Sequence, residues 1–582
     1  MTEKKEELVY SLKDQVLADP FDATEDQVDD STDAGIIVKS QPPATRWELW
    51  GYYLYYNGNN GFTMNSYMTN ILQSLAFRGG FVDPAHPEIR GCPDSTGPCS
   101  VSWGSSSVPV QSMMLYLQAI SFSIQFFLFT TFGSLADYGK WNRYILLVAT
   151  VICCACQLLP IVFVNDDGTN WRGMLALDVV GLISYGVTLI FYFAAFPTLS
   201  DNLPVVRVAR TDPSLSKGDK MAVVERWRNH VSAISTTFSN IGFLVVTGVL
   251  SGASYHPYEN HTFGPGEEHV LGNAPIFNYI ATVVCAGYFV INAIPYFVAQ
   301  PKGRRGPDLP AGESHFTIGW KSVFQAIKEA RRFRYLFLYI FSYFLFSDAT
   351  STMNQMVGII QGNVTSFSAR QTTILNLASA VSSIVGCLFF LYISKRFGVR
   401  TKHNLIIIIV MSGVMAVWGC FGIGLDNFGF KNTWELWFFY VWSGLFTAPI
   451  WAWQNTMLAE LVPKGKENLF FGLFGIVNKG SAWVGPVIIG ALTETTDNMY
   501  TGWAVVLVFY VVGLAILFFV NIEKAKLDIE KYYEEVEREE AAAVLQQQQQ
   551  QQPSSSFSSD IDQEKVQVDS YSIEKVHVSD QK

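Results

Sequence analysis

Full charges are scarce in the apolar stretches of this sequence, and two of them stand where they could do chemistry. Lys479 interrupts FFGLFGIVNKGSAWVG (470–485), and Asp348 interrupts FLFSDATSTMNQM (344–356). An ionised side chain inside a long apolar helix is costly, so it marks a binding or proton-carrying position by default. Lys479 lies nine residues beyond Phe470, roughly 14 Å along a helix at 1.5 Å per residue, too deep to snorkel easily to a surface. Two readings follow. Lys479 holds a substrate carboxylate while Asp348 takes an amine or a proton, or the two neutralise each other as a buried pair.

Neutral hydrogen-bonding groups cluster in the same kind of segment. Tyr52, Tyr56, Asn57 and Asn60 stand in RWELWGYYLYYNGNNGF (46–62), Asn354 beside Asp348, Trp453, Gln454 and Asn455 in WAWQNT, and Asn478 beside Lys479. Amides and hydroxyls facing lipid would each carry a desolvation penalty, so a set this large must face a wet cavity or other helices. An amide-rich, aromatic lining with few charges suits a small zwitterion with an apolar side chain better than a polyanion. Catalysis is excluded on motif grounds: there is no G-x-S-x-G, no H-E-x-x-H and no two-metal carboxylate set, and the eight histidines lie mainly in loops and tails. No metal, cofactor or nucleic-acid partner is expected.

The elements that must position these residues are membrane spans. Of 582 residues 49% are hydrophobic and 15% charged, the composition of an all-α polytopic membrane protein. Apolar runs long enough to cross a bilayer fall near 48–74, 110–136, 143–164, 173–197, 231–252 and 275–298, then near 335–360, 371–393, 404–424, 436–460, 469–492 and 502–521. This predicts twelve transmembrane helices in two six-helix bundles, 47–298 and 335–522, joined by a central loop, 299–334. Residues 1–46 and 523–582, the latter carrying LQQQQQQQPSSSFSS, are expected to be disordered tails. The tails hold half of the acids and fewer than a third of the Lys and Arg, so the net charge of −10 says little about the core.

With a cytosolic N-terminus, alternate loops collect nearly all the Lys and Arg. The opposite loops hold only Arg78, Arg90, Arg172, Arg370 and Lys431, a bias of roughly four to one that places both termini in the cytosol. Two sequons, at Asn260 and Asn363, then fall on the lumenal side as expected glycosylation sites. Cys92 and Cys99 in GCPDSTGPC fall there too and are expected to pair if the lumen is oxidising, whereas Cys153, Cys154, Cys156, Cys285, Cys387 and Cys420 read as packing residues. Glu48, Asp178, Glu460 and Glu494 lie nearer span ends and read as interfacial.

The two halves show traces of a repeat. SNIGFLVVTGVLSG (239–252) aligns with VNKGSAWVGPVIIG (477–490), matching Asn240 to Asn478, Gly242 to Gly480 and Gly252 to Gly490, with Lys479 opposite Ile241. The loop GSLADYGKWNR (133–143) resembles the signature G-x-L-a-D-r-x-G-r of the major facilitator superfamily, with Gly133, Leu135, Ala136 and Asp137 in place and Tyr138 where arginine is usual. The resemblance implies that fold, with the first, fourth, seventh and tenth helices lining a central cavity. Physically, Asp137 at a helix end can pair with Lys140 or Arg143 and with a helix N-terminus, making Gly133, Asp137 and Arg143 a gating loop. The second-half counterpart, LYISKRFGVRTK, has Lys395 in the acid's place.

Three longer stretches, RWELWGYYLYYNGNNGF, FLFSDATSTMNQM and LAELVPKGKENLFFGLFGIVNKGSAWVGPVIIGALTE, are similar to the fungal autophagy-related protein 22 family over residues 45–522. What that resemblance implies is a vacuolar membrane location and export of neutral amino acids of the leucine, isoleucine and tyrosine type to the cytosol after autophagic breakdown. Proton coupling is an expectation motivated by Asp348 and an acidic lumen. The alternative is a non-transporting vacuolar sensor or scaffold, or a factor for breakdown of autophagic bodies.

Overall fold

A computed structural model describes residues 19–23, 25–28, 40–61, 63, 67–83, 86, 88–92, 99–259, 269–301, 303–304, 306–309, 313–328, 331–364, 369–481, 484–485, 488–489, 492 and 498–551. In chain order the helices are α1 (Arg46–Gly58), α2 (Met68–Gly79), α3 (Val110–Gly133), α4 (Trp141–Leu158), α5 (Trp171–Asp201), α6 (Pro204–Thr211), α7 (Lys217–Ser254), α8 (Ile276–Ala299) and α9 (Thr317–Lys328). There follow α10 (Arg334–Val364), α11 (Ala369–Phe397), α12 (Thr401–Phe421), α13 (Thr433–Trp442), α14 (Ile450–Leu461), α15 (Glu467–Ser481), α16 (Gly502–Phe519) and α17 (Ile522–Gln551). Between α2 and α3 a hairpin pairs β1 (Ser100–Trp103) with β2 (Ser106–Pro109), Val101 opposite Val108. The Cys92–Cys99 disulfide lies just before it. Compact packing groups the chain through Ile529 as one unit and Glu530–Lys582 as another.

Among the described residues eight helices are long and apolar enough to span a bilayer, those containing α3, α4, α5, α7, α8, α11, α12 and α16. Each buries one stripe and leaves large apolar side chains outward: α4 buries Leu146, Ala149, Cys153 and Cys156 while Leu147, Val148 and Val151 stay exposed, as lipid contact demands. The remaining crossings are interrupted or polar. The span expected at 48–74 is broken: α1 stops at Gly58, where Asn59 takes a non-helical conformation and Gly61 has φ of 78°, and the chain is helical again at Thr63 and Tyr67, in π-helix, ahead of α2. The physical cause is the run Asn57–Gly61, whose small and amide side chains are poor helix formers and whose amides find other partners. In the second half α13 passes through a π-turn, Ser443–Thr447, into α14, the kind of local unwinding found at functional sites.

The described parts of the two tails are ordered. Around residue 46 the chain is packed: Ala44 N–H donates to the Asn202 carbonyl (2.8 Å), Val205 N–H to that of Pro20 (3.2 Å), and Ala44 and Val28 are buried. Past residue 522 the chain continues as α17, whose Ala, Glu, Lys and Leu content favours helix over coil, with Glu534 and Arg538 one turn apart at 3.8 Å. Of the six free cysteines five are buried and Cys420 is partly so.

Close helix approach depends on glycine at two matched crossings. A Cβ on Gly242 of α7 would sit 1.9 Å from the Asn57 carbonyl oxygen of α1, and one on Gly386 of α11 would sit 2.3 Å from the Leu445 carbonyl oxygen in the π-turn. Gly242→Val should therefore force α1 and α7 apart and cost about 1–3 kcal/mol of overpacking. A lowered thermal midpoint of the purified chain checks this, and an unchanged midpoint refutes it.

Candidate functional site

The first-half wall is held by bonds among its own polar groups. Tyr52 and Tyr192 stack at 4.1 Å, and each hydroxyl donates to the other's backbone carbonyl, at 3.5 and 2.9 Å. Tyr56 is buried against Tyr192 and Phe193. Asn57 donates to the Phe238 carbonyl (2.7 Å) and accepts from the Tyr288 hydroxyl, tying α1 to α7 and α8. Asn60 is half-buried and donates back to the Asn57 carbonyl at 3.4 Å. The amides and phenols of α1 thus serve helix contacts, with Asn59 donating to Thr188 on α5 at 2.9 Å.

In the second half Asp348 is buried on α10, with the Thr352 hydroxyl at 3.5 Å from one oxygen. Asn478 on α15 donates to the Tyr343 hydroxyl and lies 3.3 Å from that of Ser347, the residue before Asp348. Lys479 is the next residue in α15, and its side chain lies outside the described residues. The structure therefore brings the backbone of Lys479 to the helix that carries Asp348. Asn354 is exposed. On α14 Trp453 is fully buried against Phe390 (5.9 Å), the Gln454 carbonyl accepts from Tyr339 (2.8 Å), and Asn455 donates to the Trp451 carbonyl of its own helix (2.8 Å). Asn260 lies outside the described residues, and so does the side chain of Asn363, which is in the last turn of α10.

A second cluster sits on the face where the basic loops gather. Asp137 accepts at one oxygen from the backbone N–H (2.8 Å) and side-chain amide (2.9 Å) of Asn468, and at the other from the N–H of Leu469 (3.1 Å). These are unsatisfied N–H groups of the α15 N-terminus, and its dipole adds to the attraction for a carboxylate. A Cβ at Gly133 would lie 3.5 Å from the Asn468 carbonyl oxygen, an ordinary van der Waals contact, so the approach does not depend on glycine there. Of the two cations expected to pair with Asp137, Lys140 or Arg143, Arg143 instead donates to the Phe297 carbonyl near the end of α8 (2.7 Å), a group left without an intrahelical donor, while Asp137 is taken up by the N–H groups of α15.

Sequence reasoning missed the rest of this cluster. Arg228 on α7 grips Asp201 of α5 with two bonds of 3.0 Å and donates its remaining nitrogen to the Ala459 carbonyl of α14 at 2.8 Å. Glu225 accepts from the backbone N–H (2.6 Å) and hydroxyl (2.9 Å) of Thr401, capping α12 from the other half. Thr401 also donates to Glu460, and Asn229 donates to Thr401 at 2.9 Å. The one signal was positional: Arg228 follows Trp227 inside a helical run that continues into a span. Glu48, Asp178 and Glu460, read as interfacial, are all buried; Glu48 pairs with Arg304, and neither Asp178 oxygen has a partner among the described residues. Glu494 lies outside them.

Behind these bonds is a cavity of about 530 Å³, lined by Glu48, Asp137, Asp201, Arg304, Glu467 and Asn468 among others. Glu467 heads α15 on this face, ahead of the apolar part, and burial, with the Asp201 carboxylate nearby, pushes it up to about 7 against a neighbouring Arg228 that pulls it down. Parting of the halves would hydrate Glu467 and return it toward the ordinary 4.5. Protonation below pH 7 thus favours the closed face, and ionisation above it favours opening. Raising the pH on this face from about 6 to 8 should speed opening severalfold, read as flux, and Glu467→Gln should flatten the response. A steep response surviving in the variant would refute the assignment.

Long apolar helices in a two-half bundle joined by bonds on one face have the major facilitator fold, and the family match makes the protein a membrane transporter rather than an enzyme. The chain belongs to the family described as "Vacuole effluxer Atg22 like", whose profile matches residues 44–530. It is 22% identical to autophagy-related protein 22-2 of Aspergillus niger over 85% of this chain and 93% of that one. It is 23% identical to autophagy-related protein 22 of Candida glabrata over 89% and 97%. In fold it is similar to the Escherichia coli fucose:proton symporter FucP (TM-score 0.52, 11% identity, 82% of this chain and 98% of that one). It is similar also to the human organic anion transporter MFSD10 (TM-score 0.54, 14% identity, 82% and 100%).

Proposed function

We propose that the protein exports neutral amino acids, of the leucine, isoleucine and tyrosine type, from the vacuole lumen to the cytosol by alternating access. The observation that carries the reading is the set of bonds from Asp137, Arg228 and Glu225 across the halves on one face, with the buried Asp348 of α10 lying deeper in the bundle beside the helix that carries Lys479. The basic face is then the cytosolic one, with both termini on it by the Lys and Arg bias. The family description, a vacuole effluxer, supports the vacuolar address and the outward direction from the lumen. In this reading 47–298 and 335–522 rock about the 299–334 connection, and Asp348 couples the step to protons from the lumen.

Radiolabelled leucine or tyrosine flux in proteoliposomes, with and without a proton gradient, tests the proposal. Saturable flux that competes among neutral amino acids and rises with the gradient is expected. No saturable flux under any gradient would overturn transport and leave the sensor reading.

A further inference from the structure

The geometry points to an anionic-lipid site on the basic face, formed by α9 and the residues after it. One face of α9 is seated on the end of α3: a Cβ on Gly319 would lie 2.3 Å from the Thr130 and Thr131 carbonyl oxygens, Trp320 donates to the Thr131 hydroxyl (3.2 Å), and Ser134 donates to Ser322 (2.8 Å). Ile318 and Ala326 bury on that side. The Trp320 ring stands 6.4 and 6.0 Å from Phe126 and Phe127, which are exposed on the span α3 where lipid must cover them. This places α9 at the bilayer boundary, continuing an aromatic belt.

The other face of α9 is exposed at Phe316, Phe324 and Lys328. Phe324 is 66% exposed and sits between Lys321 and Lys328 at helical spacing, with Phe316 68% exposed at the helix start. Phe324, Gln325, Lys328, Arg331 and Arg332 line a surface groove of about 510 Å³. In the sequence from Thr317 to Arg334, Lys321, Lys328, Arg331, Arg332 and Arg334 face one acid, Glu329. An exposed ring flanked by cations at a membrane edge is the arrangement by which an interfacial helix inserts its apolar side while its cations hold phosphate headgroups. The occupant is a phospholipid with an anionic headgroup from the adjoining leaflet, its phosphate on Lys328, Arg331 and Arg332 and its acyl region against Phe324. Because α9 lies in the connection between the halves, bound lipid would anchor that connection to the membrane.

The test is native mass spectrometry of the full chain in mixed micelles of phosphatidylcholine and phosphatidylinositol phosphate, which counts retained anionic lipid and needs no transport assay. Each cation near an anionic surface contributes roughly fivefold in binding, so replacing Lys328, Arg331 and Arg332 together by Gln should weaken retention about a hundredfold. Lys321→Gln, which removes a cation already bonded to Glu313 at 2.8 Å, should retain lipid as the parent does. If the triple variant misfolds, salt titration of the parent decides: retention must fall as salt rises. Equal retention by the triple variant, salt-insensitive retention, or displacement by soluble inositol phosphate at matched concentration would each overturn the lipid site, the last by showing a headgroup-only pocket.

Discussion

Lys479→Ala should cut amino-acid flux by about tenfold to a hundredfold, the worth of a charge-assisted hydrogen bond to a carboxylate of 1.5–3 kcal/mol, while the protein stays folded and in its membrane. Lys479 follows Glu467 by twelve residues in α15, about 18 Å at helical rise and therefore near the middle of a hydrocarbon core of about 30 Å. The next residue back, Asn478, already contacts Tyr343 and Ser347 of α10, so the backbone of Lys479 stands beside the helix that holds Asp348. A lysine paired only to neutralise Asp348 predicts something else. Its loss would leave a buried carboxylate alone, at a cost of about 3–5 kcal/mol, and the protein itself would be lost. The double variant with Asp348→Asn would then recover expression. If binding is the role, that double variant folds but does not transport. Flux that survives Lys479→Ala at parental level sinks the assignment.

The unbroken spans were legible because continuous apolar runs must be helices in lipid. The predicted 110–136, 275–298 and 502–521 became α3 (Val110–Gly133), α8 (Ile276–Ala299) and α16 (Gly502–Phe519). The broken spans were not, since hydropathy averages over α1, the gap at Asn59 and α2, and registers neither the gap nor the π-turn before α14. Within the site, Asp137 could be read as meeting a helix N-terminus, because its loop motif is local. Which helix it meets is settled across a sequence separation of 331 residues, and nothing near Asp137 encodes Asn468. The same holds for Arg228, which contacts Ala459 across 231 residues. In sequence it is one cation among many in a basic segment, and only the fold separates a solvated arginine from one 9% exposed. For the polar residues of α1, the choice between cavity and neighbouring helix depends on where Tyr192, Phe238 and Tyr288 come to lie, which their own segment does not encode.

Arg228→Ala should open the basic face, and the reasoning runs through what is left behind. The guanidinium satisfies two carboxylate oxygens of Asp201 and the Ala459 carbonyl at once, a bidentate grip on one half with a third donor to the other. Removing it leaves Asp201 with Arg210, 2.5 Å away, so the penalty should fall at the low end for a broken buried pair, about 3 kcal/mol. That loss falls on the closed state alone, since parted halves hydrate both groups. A cysteine at Ala459, which is 4% exposed, should therefore label slowly in the parent and markedly faster in the Arg228→Ala background, with a lowered thermal midpoint. Net flux should fall as well, because a carrier that cannot close one face cannot expose its site to the other. Arg228→Lys separates charge from geometry. Its single ammonium can hold Asp201 but lacks the planar fork that reaches Ala459 as well, so it should protect the cysteine only in part. Full protection by lysine would show that charge alone closes the face, and unchanged labelling in Arg228→Ala would show that Asp137 and Glu225 suffice without it.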